Sequence, residues 1–574
     1  MKLRNFAFKF LHISLLIVAT LAFTAGSLVI HVKAASSSSY YYQFTVNRQG
    51  FTDTEINFSS VLTQGSSWVF VPRAPVEWNY TVTKGTLGPN DLVETDQVVQ
   101  EKSFFYQAFR FQYQASGTFN MTIRFGFDNG AMIIEPRGVF YSPQIGFKSD
   151  SSASAEVDLD NSFQIKPSLA IVVGRLGTYP ETDIQGLTKI FFNIPQTENQ
   201  VRVQLEFTVG FQTPDYTTLT SKDNRTFTFN SVTRYNAIAQ NILNVYDRIY
   251  PNFTRLFNTT LDSVNVQFFL PDFESLLSVG GYVPLYGGQL GEININVFFA
   301  RAVNGTIEVI AAHELVHRFI GKTGVSASNF LWFHEGMAQF ISITELAKLN
   351  YLGATQQKDN LDTSASNLIS NLGGEDFGLI QLEDWTPNYQ PQGVTIDALY
   401  TAAYYVVSQL PQVVHQDGFA YYGRFFKVIH GSQVNDINVL SMYLSTAANA
   451  SVALTLQRWG FSVTDLYKSP LGDLIAQAGK AVQAANPIFQ PYQALAESFY
   501  QQGLVSAQQG DWGRAQSFLQ LSIGLANLAP VLFFLTILAV LGLLAYIFRR
   551  YSRRPKPPGV PVPPQEILQP PTQV

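Results

Sequence analysis

The chain has 574 residues, a formal net charge of −5, 46% hydrophobic against 14% charged residues, and no cysteine. That length exceeds one core, so roughly two to four domains are expected, and the composition excludes a disordered chain. The mild charge, with no basic patch interleaved with aromatics, gives a nucleic-acid role no support, and zero cysteine excludes a disulfide framework and thiol chemistry.

In chain order, residues 1–34 carry Lys2, Arg4 and Lys9, an apolar run over 10–30 and a small-residue site ending at Ala34. This is the pattern of a secretory signal peptide cut after Ala34, with an uncleaved signal anchor as the alternative. Residues 35–225 read as an antiparallel β-sandwich. Phe119, Met121, Ile123, Phe125 and Phe127 alternate with polar or small residues, as do Val201, Val203, Leu205, Phe207, Val209 and Phe211. Gly88-Pro89-Asn90-Asp91 and Asp128-Asn129-Gly130 are turn signals between strands.

Residues 226–467 mix helix and strand. A helical pattern over 235–250 leads to a strand over 264–270, a glycine-rich stretch (Gly280-Gly281 to Gly287-Gly288), and a strand over 291–299 with Ile293, Ile295 and Val297 alternating. Residues 468–527 form a helical juxtamembrane region, a single tetratricopeptide-like hairpin with Gly503, Gly510, Trp512 and Ala515 at suggestive places. Residues 528–548 form a transmembrane helix, and the basic cluster Arg549, Arg550, Arg553, Arg554 and Lys556 puts the C-terminus in the cytoplasm. Residues 549–574 are a proline-rich, extended tail whose partner is unknown. Sequons at Asn57, Asn79, Asn120, Asn224, Asn252, Asn258, Asn304 and Asn449 all fall between the two apolar runs, consistent with an external glycoprotein.

Chemistry concentrates in 306–345. His313, Glu314 and His317 spell H-E-x-x-H, and Glu335 follows in Leu331-Trp332-Phe333-His334-Glu335-Gly336. On a helix His313 and His317 share one face and make half of a tetrahedral zinc site, with Glu314 beside the metal as general base. Gly305-Thr306 offers an N-terminal cap, Glu308 lies in the first turn and Gly321 stops the helix. Ser328 or Asn329 is placed to cap a second helix that brings Glu335 in as third ligand, leaving an open position of catalytic type. The plain alternative is a helix with unliganded histidines.

The run HELVHRFIGK followed by LWFHEGMAQF resembles the zinc-binding core of the gluzincin metallopeptidases, in particular the aminopeptidase N-type family, which writes H-E-L-x-H-x-x-x-G, a loop, then W-L-x-E-G-x-A. The resemblance implies His313, His317 and Glu335 as ligands of one Zn²⁺, Glu314 as base, and Gly321, Trp332, Gly336 and Ala338 as framework. The 17 residues between His317 and Glu335 are one fewer than the family usually has, which a deletion in the 322–329 loop explains.

The resemblance also implies an N-terminal β-domain ahead of a thermolysin-like catalytic domain, with a strand edge beside the zinc helix for the substrate backbone. It points to Tyr400, in Leu399-Tyr400-Thr401-Ala402, as oxyanion donor, with Tyr404 and Tyr405 as packing residues. The family's G-x-M-E-N stretch, whose glutamate holds a free amino group, is not intact at Gly287-Gly288-Gln289-Leu290-Gly291-Glu292-Ile293-Asn294. Glu292, 21 residues before His313, is the remaining candidate for that substrate-binding anchor, and an exposed strand-end residue is the alternative. The expected protein is a membrane-anchored, outward-facing zinc metallopeptidase acting on peptides or proteins without strict aminopeptidase character. The rivals are an inactive surface protein that uses a peptidase-like fold to bind peptide or glycan, and a receptor signalling through its tail. An intact Glu314 speaks against the first, and a tail without a folded domain against the second.

Overall fold

A computed structural model describes residues 37–552 except 75, 100–102, 104, 173–174, 179–186, 196–199, 211–212, 224–225 and 287–288. The expected signal peptide, the tail beyond Ser552 with three of its basic residues, the sequon at Asn224 and the Gly287-Gly288 pair lie outside the described residues.

Period-two burial builds the first half. In the strand Phe119–Phe127, Phe119, Met121, Ile123 and Phe125 are buried, and Ser38–Val46 alternates in the same way. These strands sit in a six-stranded sheet ordered Leu187–Ile194, Ser152–Asp160, Ser38–Val46, Thr52–Ser60, Phe119–Phe127, Trp78–Lys84. A single aromatic-rich core joins it to a three-stranded and a five-stranded sheet, so the expected sandwich is present. It is not wholly antiparallel. Ser38–Val46 runs parallel to Ser152–Asp160, which is possible because 47–151 provide the long crossover that a parallel pair needs. Gly88-Pro89-Asn90-Asp91 is not a turn either; it lies within the edge strand Thr86–Val93, whose register shifts between Leu87 and Asn90. Proline is tolerated at such a bulged edge. Asp128-Asn129-Gly130 does turn, with Asn129 at a φ of 55°.

The second sheet is ordered Tyr216–Thr220, Phe227–Val232, Val264–Phe269, Ile293–Asn296, Gly281–Tyr282. Its inner three strands are parallel and its two edges antiparallel. Tyr216–Thr220 belongs to this sheet by pairing with Phe227–Val232, ahead of the expected boundary at 226. The strand expected over 291–299 is shorter. The Asn296 side chain accepts from the Phe298 amide and caps a 3₁₀ turn, Val297–Arg301, that leads the chain out of the sheet. Gly281–Tyr282, not Ile293–Asn296, is therefore the free edge on this side.

Eleven described helices follow the pattern α1 (Asn236–Phe257), α2 (Thr306–Ile320), α3 (Leu331–Lys348), α4 (Leu352–Leu372), α5 (Ile396–Val413), α6 (Gly418–Ile429), α7 (Ile437–Ala448), α8 (Ala453–Arg458), α9 (Pro470–Ala484), α10 (Tyr492–Gln508) and α11 (Trp512–Ser552). Helices α1, α2, α3, α5, α6 and α7 share one core with the second sheet. The region expected to lie next to the membrane joins the same core through Ile475, Val482, Tyr500, Leu504 and Leu519. Gly503 permits the close approach of α10 to α11, since a Cβ there would lie 2.8 Å from Leu519 Cγ. The expected transmembrane segment is the second half of α11, with no break between hairpin and apolar run.

Candidate functional site

Helix α2 starts after Gly305, whose φ of 102° suits glycine, and carries Glu308 in its first turn. Gly321 follows its end in ordinary right-handed geometry. The Leu290 side chain packs against it, Cδ1 lying 2.4 Å from where a Cβ would stand. Helix α3 begins at Leu331 with Phe330 as its first flanking residue and no side-chain cap. Neither Ser328 nor Asn329 caps it, because Asn329 Nδ2 donates instead to the Asn435 carbonyl.

The two helices bring three acceptors together. His313 Nε2 lies 3.1 Å from His317 Nε2 and 3.1 Å from Glu335 Oε2, and His317 Nε2 lies 3.5 Å from the same oxygen. Ligands about 2.0–2.1 Å from a tetrahedral centre are separated by about 3.3–3.4 Å along each edge. The observed triangle matches that spacing, and the shorter loop between the helices has not displaced Glu335. Burial alone would raise the Glu335 carboxyl, but His317 and His313 pull it well below the usual carboxylate range. The donor set of two imidazoles and one carboxylate fits a single zinc ion.

Glu314 does not join the triangle. It is buried, and burial, offset in part by His317 and reinforced by Glu335, pushes its carboxyl up to about 8. A Cβ at Gly281 would lie 2.9 Å from Glu314 Cγ and Oε1, so the free sheet edge passes directly beside this carboxylate. Tyr400 arrives from α5. Burial first, then the nearby charges of Glu335 and Glu314, hold its phenol well above the usual range. Trp385 braces the Tyr400 ring edge-on at 5.1 Å. Gly336 lets α5 close on α3, because a Cβ there would be 2.4 Å from the Ala403 carbonyl oxygen. Tyr404 and Tyr405 donate elsewhere, to Asp362 at 3.2 Å and Glu375 at 2.5 Å.

His334 stays out of the site. It is buried, its Nε2 donates to the Val325 carbonyl at 3.1 Å, and burial lowers its pKa to about 4, leaving it neutral. Glu292 also stays out. Ile293 and Ile295 face the shared core with α2, so strand alternation turns Glu292 and Asn294 to the opposite face. There Gln267 Nε2 donates to Asn294 Oδ1 at 2.7 Å and to Glu292 Oε1 at 3.5 Å. The strand expected to form the cleft edge, with Glu292 just ahead of it, is covered by Gly281–Tyr282. Sequence reasoning missed the roles of Gly281 and Trp385. The Gly280-Gly281 pair was visible as part of a glycine-rich stretch, but only the paired strands show which glycine meets Glu314.

No family model and no curated protein sequence matches the chain. Among solved structures, an M1 zinc metallopeptidase from Deinococcus radiodurans is similar at a TM-score of 0.30 and 14% identity, over 74% of this chain and 93% of that one. A mutant of that metallopeptidase aligns at a TM-score of 0.31 and 13% identity, over 74% and 94%. Likeness this distant assigns no role, so the site stands on its own geometry.

Proposed function

We propose that the chain is a membrane-anchored, outward-facing zinc-dependent peptidase. The observation that carries this is the convergence of His313, His317 and Glu335 at zinc-ligand spacing beside a buried Glu314, an open sheet edge and the Tyr400 hydroxyl. His313, His317 and Glu335 would hold the metal, which supplies Lewis-acid polarisation of a peptide carbonyl and makes water more acidic. With the positive charge of a metal held at the triangle, the Glu314 carboxyl would be drawn down from about 8, so that it can take a proton from the attacking water and pass it to the leaving amine nitrogen. Tyr400 donates its hydroxyl proton in a hydrogen bond to the developing oxyanion. The Gly281–Tyr282 edge offers backbone groups to an extended substrate, and the bare Gly281 lets that strand lie close to Glu314.

Anchoring is read from α11. No residue in the most apolar stretch of this 41-residue helix is buried by protein, unlike a core helix, and Arg549 and Arg550 close it. The test is Glu314→Gln. This variant should retain bound zinc and lose turnover of peptides by roughly a hundred- to ten-thousand-fold. Undiminished turnover in zinc-loaded Glu314→Gln would remove the proposed chemistry.

A further inference from the structure

The turn between α9 and α10 lies beside the apolar half of α11. Phe489, in the 3₁₀ turn Pro487–Phe489, packs on Phe533 at 5.7 Å and Phe534 at 6.4 Å between ring centroids. Tyr492, the first residue of α10, reaches the Thr536 hydroxyl at 2.5 Å. Farther up the hairpin, Ser522 Oγ donates to the Ala496 carbonyl at 2.8 Å, which fixes the register of α10 against α11.

The depth of this turn follows from the helix beneath it. Arg549 marks one limit of the apolar run, and 20 uncharged residues, 529–548, precede it. A helix needs about 20 residues to cross a hydrocarbon layer about 30 Å thick, so none of these can be left in water if the run spans. Phe533 and Thr536 lie four and seven residues inside the outer limit, or about 6 and 10 Å at 1.5 Å per residue. Residues that touch them occupy the same level.

The turn is built for that level. No Asp, Glu, Lys or Arg occurs from 481 to 496, between Lys480 and Glu497. Ile488 is 65% exposed and Leu495 47% exposed, large apolar side chains turned outward. Tyr492 presents an apolar ring with one polar end, as side chains at a membrane interface do.

We infer that the Pro487–Phe489 turn, with Tyr492, is immersed among the lipid acyl chains of the outer leaflet, a second membrane contact beside the α11 span. This rests on the proposed spanning role of α11. The partner is a lipid surface, selected by an uncharged tip in which Pro487, Ile488, Phe489 and Pro491 are apolar and the amides of Asn486 and Gln490 can reach toward the headgroups. With two points of contact, α9, α10 and the core they share with α2 and α3 are held against the bilayer, so substrates are met at the membrane surface rather than at the end of a free stalk.

The absence of cysteine makes the test direct. Single variants Ile488→Cys, Leu541→Cys and Leu454→Cys of the full chain, labelled with an environment-sensitive fluorophore, are placed in nanodiscs containing phosphatidylcholine with a spin label at a shallow or a deep acyl carbon. Leu541 lies mid-span, and Leu454 is a 77% exposed residue on α8. The expected result is quenching at 488 by the shallow label, quenching at 541 by the deep one, and none at 454. Quenching at 541 without quenching at 488 overturns the inference and leaves the span intact. Absence of quenching at both positions overturns the span and the inference with it.

Discussion

The β-sandwich and the helical module treat buried acid differently. Among the described residues of the β-sandwich, every strongly buried carboxylate has a cation. Glu206 pairs with Arg137 at 2.9 Å and with Lys166, Glu156 with Lys189 at 2.9 Å, Asp158 with Lys189 at 3.9 Å, and Glu135 with Arg234. Among the described residues of the helical module, Glu345 is treated so, by Lys348 at 2.7 Å. Glu308, Glu314 and Glu335 are equally buried without a Lys or Arg partner, and Glu335 has only two histidines facing it. Burying a charge costs several kcal/mol unless something compensates it. Where the compensation is a fixed side chain, the carboxylate serves structure. Glu308 is met by the Asn241 side-chain amide at the start of α2, so what remains is Glu314 and Glu335 side by side, where the fold has left room for a cation from outside.

The comparison breaks most sharply at the ligand triangle. His317→Ala leaves one imidazole and a buried carboxylate, which cannot hold zinc at three points. Zinc affinity should fall by more than about a hundredfold, read as metal content after chelator challenge, with activity lost in parallel. Wild-type zinc retention in His317→Ala would show that the triangle is an ordinary buried polar cluster. Next in size is Tyr400→Phe. Its bond to the oxyanion exists mainly in the transition state, so kcat should fall by roughly a hundredfold with KM little changed. A loss confined to KM would make Tyr400 a substrate-positioning residue.

Most of this site was legible because α-helical spacing converts H-E-x-x-H directly into geometry, and because a second helix returning with Glu335 needs only a short loop. Tyr400 was legible only through its local pattern; the structure adds the close approach of α5 that Gly336 permits. Other features were hidden for definite reasons. Burial alternation in Ser38–Val46 and Ser152–Asp160 says which residues face inward but not which strand each one pairs with, so the parallel seam could not be read. Cap residues at 328 and 329 had a strong local preference that the contact with Asn435 overrode. The glycine-rich stretch announced irregular backbone without telling which two residues would form the sheet edge.

On the β-sandwich side the sharpening variant is Lys189→Met. It removes the one cation shared by Glu156 and Asp158, and the module should lose about 1–3 kcal/mol at neutral pH while zinc content and kcat stay unchanged. The sign with pH follows from the two carboxyls. Glu156 is buried yet held below its usual range by hydrogen bonds from Asp158, Tyr41 and Lys189, so its contribution is present above the ordinary carboxylate pKa and is lost as pH falls through the folded value. Asp158 is pushed up to about 6 by burial and by Glu156, so its folded form favours the proton and its contribution is lost as pH rises through 6. Removing Lys189 raises both. The deficit of the variant should therefore be largest at pH 7–8 and shrink towards pH 4, measured by denaturant unfolding. A deficit that grows on acidification would show that Lys189 does not stabilise these carboxylates.

The smallest effect is expected at Glu292, where the sequence pattern and the structure part company. An anchor for a substrate ammonium has to project into the cleft formed by α2 and the free sheet edge. Glu292 lies on the interior strand ahead of Ile293–Asn296, turned to the sheet face opposite α2 and held by Gln267 at 3.5 Å. Gly281–Tyr282 occupies the edge, and the residues that follow it, Val283 and Pro284, carry no charge. No carboxylate on that edge strand is placed to demand a free N-terminus. Glu292→Ala should accordingly leave kcat/KM within about twofold of wild type, since a surface substitution away from the cleft perturbs little. Matched peptides with free and acetylated N-termini provide the stricter measurement. Both sets should be cleaved by the wild-type protein and by the variant, because an extended backbone paired to Gly281–Tyr282 is held the same way whether or not its end is charged. Cleavage restricted to free N-termini, and abolished in Glu292→Ala, would mean that the carboxylate reaches the cleft when substrate is bound.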